Sequence, residues 1–81
     1  MLVTKLQEAR LKRGMTQKQL AEQAGINFRM LQNYEQGVKL IDNARLETIL
    51  KICLTLNCKM EEVIEQDSLL RLLGDYKGGD I

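Results

Sequence analysis

The stretch Met15-Thr16-Gln17-Lys18-Gln19-Leu20-Ala21-Glu22-Gln23-Ala24-Gly25-Ile26-Asn27-Phe28-Arg29-Met30-Leu31-Gln32-Asn33-Tyr34-Glu35-Gln36-Gly37 carries two short helical patterns hinged on one glycine. Thr16 is a good N-cap, and Gln19 three positions later closes a capping box. Leu20, Ala21 and Ala24 give that helix its apolar face, and Gly25 ends it. Two residues on, Asn27 caps a helix over Phe28 to Gln36 whose inward positions are Leu31 and Tyr34, and Gly37 terminates it.

Two short helices joined by a tight glycine-containing turn form a helix-turn-helix unit. Where the helices cross closely the backbone needs a small residue, and Ala21 supplies it. The turn needs a residue tolerant of positive φ, which is Gly25. Ile26, Leu31 and Tyr34 then lock the second helix onto the first. This leaves Phe28, Arg29, Gln32, Asn33 and Gln36 facing outward. They match what a major groove presents: Arg toward guanine, Asn or Gln toward adenine, an apolar group toward the thymine methyl.

The rest of the chain reads as further short helices. Thr4 caps a helix over Lys5 to Lys12 with Leu2, Leu6 and Ala9 at helical spacing and Gly14 as its stop. Val38 to Asp42 is a loop, with Asp42 or Asn43 capping a helix built on Leu46, Ile49, Leu50, Ile52, Cys53 and Leu56; Asn57 is its αL stop. Met60, Val63 and Ile64 outline a short fifth helix, although Lys59 is a poor cap. A last short helix over Leu69 to Leu73 follows an Asp67 or Ser68 cap, and Gly78-Gly79-Asp80-Ile81 reads as a frayed tail. There is no repeat, linker or strand pattern. The expectation is an all-α, compact bundle of five or six short helices: a helix-turn-helix domain over 1–66, then a short C-terminal helix and tail over 67–81.

Composition agrees. A chain of 81 residues is one small domain, able to bury roughly 60% of its unfolded surface. Its apolar fraction is 44%, with two Tyr, one Phe and no Trp, so the core must come from aliphatic residues, and the absence of Pro favours helix. No apolar run approaches the ~20 residues a bilayer requires. The N-terminal Met1-Leu2-Val3-Thr4-Lys5 has no export signal, so the expected location is cytoplasmic with reduced thiols. Cys53 and Cys58 have neither redox-pair nor zinc-clamp spacing, and Cys53 falls among core residues. With no His, the commonest general base and metal ligand is missing. Neither a phosphate-cradling loop nor a base-nucleophile pair is visible, and scattered carboxylates such as Glu8, Glu22 and Glu47 do not make an enzyme. The net charge is only +1, but residues 1–40 hold seven basic and three acidic side chains (+4) and residues 41–81 five and eight (−3). A basic half followed by an acidic half suggests one face for a polyanion and one for something else; chance is the other reading, since uneven halves are common in short helical proteins.

The run Met15 to Asn27 resembles the signature of the phage Cro and repressor-type helix-turn-helix family. So do Leu31-Gln32-Asn33-Tyr34-Glu35-Gln36-Gly37, Arg10 ahead of it, and Leu46-Glu47-Thr48-Ile49-Leu50-Lys51-Ile52 after it. The resemblance covers roughly residues 4 to 65. It implies a bundle of four or five helices that binds double-stranded DNA without cofactors and regulates transcription, usually as a homodimer on an inverted repeat. It also implies individual roles. Gln17 contacts the DNA backbone and orients recognition side chains; Phe28, Arg29 and Asn33 reach base edges, with Gln32 beside them; Asn27, Gln36 and Lys39 lie near phosphates. Arg10 and Glu35 match an internal salt bridge between the first helix and the end of the third.

Two departures stand out. Phe28 and Met30 are apolar where the family carries polar residues, so hydrogen-bond readout rests on Arg29, Gln32 and Asn33. The loop Val38 to Ala44 also lacks the usual basic-proline ending. The expected function is a sequence-specific regulator, a repressor, acting by occupying an operator; the chain has room for no sensing domain. The alternative is a protein-interaction module on the same fold, an antitoxin or an antagonist of another regulator, motivated by Phe28, Met30 and the acidic C-terminal half. Leu69 to Leu73 is core or dimer contact, and Glu61-Glu62-Val63-Ile64-Glu65 a solvated face.

Overall fold

The structure, a computed structural model, describes residues 3–78. Among them are five α-helices and no strand: α1 (Lys5–Lys12), α2 (Gln17–Ala24), α3 (Phe28–Glu35), α4 (Leu46–Leu56) and α5 (Asp67–Gly78). Single turns of 3-10 helix at Ile41–Asn43 and Met60–Glu62 precede α4 and α5. The first three helices start on the local signals expected of them. The Thr4 hydroxyl accepts from the Gln7 amide at 3.2 Å. Thr16 and Gln19 exchange reciprocal bonds of 3.0 and 2.9 Å, and Asn27 Oδ1 accepts from the Met30 amide at 3.0 Å. Gly25 ends α2 at φ +70°, and the Ile26 amide reaches back to the Ala21 carbonyl. That is the six-to-one bond of a Schellman cap.

α2 lies against both α3 and α4. Leu20 and Ala21 are buried at that junction with Leu31, Ile52 and Leu56. Leu6 of α1 and Val63 and Ile64 after the second 3-10 turn complete the centre.

The later elements depart from expectation. Asp42 and Asn43 do not cap α4: they form a 3-10 turn, and α4 begins after Arg45 with no side-chain cap. The Asp42 carboxylate instead accepts from the Glu65 and Gln66 amides at 2.8 and 2.7 Å, tying down the chain that leads into α5. The short fifth helix is only a 3-10 turn, its Lys59 amide donating to Glu62. α5 is longer than expected and already contains Asp67 and Ser68. The carbonyl of Gln66 accepts the first intrahelical bond, from Leu70, so Gln66 is the cap. Residues 61–65 are no solvated face, because Val63 and Ile64 are fully buried. Lys5 donates there too, through Nζ to the Glu61 and Ile64 carbonyls and through its amide to the Glu65 carboxylate. Leu2 and Gly79-Asp80-Ile81 lie outside the described residues.

The C-terminus of α4 has its own lock. Asn57 sits at φ +52° and the Cys58 amide donates to the Cys53 carbonyl, so the two thiols occupy the paired positions flanking a Schellman cap. Burial first, and then the neighbouring Cys58, pushes the Cys53 thiol up to about 12. Arg13 donates to the Leu56 and Asn57 carbonyls, satisfying carbonyls that a helix end leaves open.

Candidate nucleic-acid interface

The centre of the candidate site is a buried charge. Glu35, the last residue of α3, receives Arg10 Nε at 2.6 Å and Arg10 Nη2 at 2.9 Å. The two side chains are only 9% and 1% exposed. A buried pair is sustained only when its remaining hydrogen-bonding groups are also met. Arg10 Nη1 donates to the Met15 carbonyl at 2.7 Å, and Gln17 Nε2 donates to Glu35 Oε1 at 3.1 Å. The Thr4 hydroxyl donates to the Glu35 carbonyl at 3.0 Å. The end of α3 is thereby bonded to α1 and its Thr4 cap and to the start of α2, while Arg10 ties in the turn between α1 and α2. No buried side-chain nitrogen or oxygen among the described residues is left without a partner.

Leu31 is fully buried and Tyr34 half-buried against the core, which turns the other face of α3 outward. Arg29 and Gln36 are exposed, and Gln32 and Asn33 half-buried. Of the two charged residues on α3, Glu35 is neutralised inside and Arg29 stands outside, so the outward face carries one cation and no anion. The Asn33 carbonyl accepts from both the Val38 and Lys39 amides, which fixes the backbone from which the exposed Lys39 projects. Gln36 and Lys39 line one shallow depression beside Tyr34. Asn27 spends its side-chain oxygen on the cap of α3, leaving its amide donors available.

Phe28 is 43% exposed and borders a groove with Lys18, Ala21, Glu22 and Ile26 of the α2 elbow. Half of its ring is spent on that elbow and half is open.

Sequence reasoning placed Gln17 toward DNA; the structure adds that its amide is engaged with Glu35. It also passed over Thr4 as anything but a cap. Both links join residues distant in the chain, and no local pattern announces them. The outward face resolves into one guanidinium, several amides, a half-open aromatic ring and a flanking lysine, a set suited to base edges and phosphates. No helix among the described residues is long and apolar enough to cross a membrane.

A family model described as helix-turn-helix matches residues 6–63. No curated protein and no solved structure matches the chain.

Proposed function

The chain belongs to the Cro/C1-type helix-turn-helix family of DNA-binding regulators, and from that premise we propose that it is a sequence-specific cytoplasmic repressor. It binds an inverted-repeat operator as a homodimer, with α3 in the major groove. Residues 1–66 form the DNA-binding unit, and 67–81 an appended segment. Arg29, Gln32 and Asn33 read base edges and Phe28 covers a thymine methyl. Gln17, Asn27, Gln36 and Lys39 hold the phosphates. Occupancy of the operator excludes other proteins from it and so represses.

The observation that carries this reading is the buried Arg10–Glu35–Gln17 network. It immobilises a short helix whose outward face holds one uncompensated cation and three amides, a geometry that direct readout requires. The test is selection from random duplex DNA at about 150 mM salt, close to physiological ionic strength. The expected result is an enriched inverted repeat with half-sites about one helical turn apart, ~34 Å. A single half-site would remove the dimeric operator from the proposal, and no enrichment would end the sequence-specific reading.

The half-open Phe28 ring beside Lys18 and Ile26 favours one competing reading, a module that docks on another protein through the α2–α3 elbow. Phe28→Ala separates the two. Loss of DNA affinity supports groove contact, whereas unchanged affinity at any salt concentration removes Phe28 from the interface.

A further inference from the structure

Two cysteines whose spacing matches no redox motif are brought together by the way α4 ends. In a Schellman cap the residue four before the left-handed position and the residue just after it are joined by a six-to-one bond, and their side chains commonly touch. At the end of α4 those two residues are Cys53 and Cys58. The Cys58 amide donates to the Cys53 carbonyl at 3.0 Å and the Asn57 amide to the Leu54 carbonyl at 3.2 Å, the turn closing on Asn57 at φ +52°. With standard bond lengths, a contact of 3.0 Å between Cys58 N and Cys53 O keeps the two Cα atoms within roughly 7 Å. That is the separation beyond which a disulfide cannot close without backbone movement. Both side chains belong to one apolar cluster, Cys53 inside it at 6% exposure and Cys58 half-buried against it. The thiols are close enough that each shifts the other's titration.

We propose that Cys53 and Cys58 form a reversible dithiol–disulfide couple, oxidised by low-molecular-weight disulfides, that staples the end of α4 to the chain leading into α5. Unequal exposure sets the order of events. The half-buried Cys58 is the thiol that a dissolved disulfide reaches. Its thiolate attacks one sulfur of the oxidant, forming a mixed disulfide and releasing one small thiolate, which takes up a proton. Cys53, shielded from the oxidant but beside Cys58, then gives its proton to solvent and attacks the Cys58 sulfur, displacing the second small thiol. The protein gives up two electrons and two protons, and the oxidant leaves as two thiols. Only a thiolate attacks, and burial is the first cause raising both groups, so the exchange quickens as the pH rises. At Cys58 alone that rise is opposed, by Cys53 and by the Arg13 guanidinium, which fits it as the attacking group. The chain leaving Cys58 passes through Met60–Glu62, where Lys5 of α1 donates to the Glu61 and Ile64 carbonyls. A closed staple therefore holds α1, α4 and the lead into α5 against local opening, and reduction releases them.

The test incubates the full chain at pH 8 with oxidised and reduced glutathione in varied ratio, quenches it in acid, and measures intact mass and free thiols. The expected product is a single chain lighter by two hydrogens, with no thiol left to alkylate, returned to the starting mass by dithiothreitol. Cys53→Ala is expected to stop at the glutathione adduct on Cys58, and Cys58→Ser to stay unmodified over the same period. The oxidised chain should melt at least ~5 °C above the reduced one, because closing a loop constrains the unfolded chain. A parent chain that halts at the glutathione adduct places the thiols out of reach of each other and overturns the proposal. A crosslink between two chains overturns it equally, as does an internal disulfide whose chain melts no higher than the reduced form. Cys58→Ser keeps the test independent of core packing, since that side chain lies at the edge of the cluster; glutathione found on its Cys53 as fast as on the parent's Cys58 overturns the assigned order.

Discussion

Arg10 and Glu35 meet in a bidentate pair, Nε to Oε2 at 2.6 Å and Nη2 to Oε1 at 2.9 Å, with both side chains almost wholly out of water. Three elements converge on it, so the pair works as the keystone of the unit that presents α3.

Breaking one side of a buried pair costs roughly 3–5 kcal/mol because the other charge is left unpaired. Arg10→Ala is therefore expected to lower the melting temperature by more than about 10 °C in a domain this size. Replacing both partners together, as Arg10→Met with Glu35→Leu, should recover much of that loss. Thermal unfolding by circular dichroism decides it, and a single variant melting within a few degrees of the parent would refute the keystone role.

Arg29 and Lys39 are both exposed and are expected to fail differently. Arg29→Ala should cost about 1–3 kcal/mol of operator affinity and relax the preference at one base position. Lys39→Ala should weaken binding to all sequences alike and reduce the slope of log affinity against log salt by about 1. Titrations on operator and scrambled DNA at several salt concentrations test both. Neither change should move the melting temperature.

Asp42 holds the Glu65 and Gln66 amides ahead of α5. Hydrogen bonds to a charged group contribute about 1.5–3 kcal/mol. Asp42→Ala is expected to destabilise the chain by about 2 kcal/mol on that scale and to speed amide exchange in α5 before α2 or α3. Uniform acceleration across all helices would contradict this local role.

The Cys53 thiol, pushed up to about 12 by burial, stands above its ordinary value of 9.0. A thiol that holds its proton more tightly when folded favours the folded state fully below pH 9 and ceases to do so as the pH climbs toward 12. Stability should accordingly fall over that alkaline window, and Cys53→Ala should flatten the decline. Alkylation at pH 8 should also reach the half-buried Cys58 well before Cys53. Equal labelling rates would contradict the burial of Cys53.

How much of this was legible beforehand follows from the range of the interactions. Thr16 with Gln19, Asn27 with Met30 and the positive φ of Gly25 are bonds within a few residues, and the first three helices were readable from them. Asp42 looked like a local cap because its chemistry is a cap's, yet its partners lie 23 and 24 residues away. The acidic run at 61–65 looked solvated because the burial of Val63 and Ile64 and the amide and Nζ of Lys5 come from tertiary packing that no window of sequence contains. At the candidate site, the outward positions of α3 followed from periodicity. The engagement of Gln17 with Glu35, 18 residues apart, did not.

The residues that hold α3 and those it offers outward are separate sets. Thr4, Arg10, Gln17 and Glu35 share one bonded network, while the side chains of Arg29, Gln32, Asn33 and Gln36 take no part in the hydrogen bonds of the described residues. The outward face of α3 is thus an exchangeable cassette: its letters can be rewritten without breaking a side-chain hydrogen bond of the scaffold beneath.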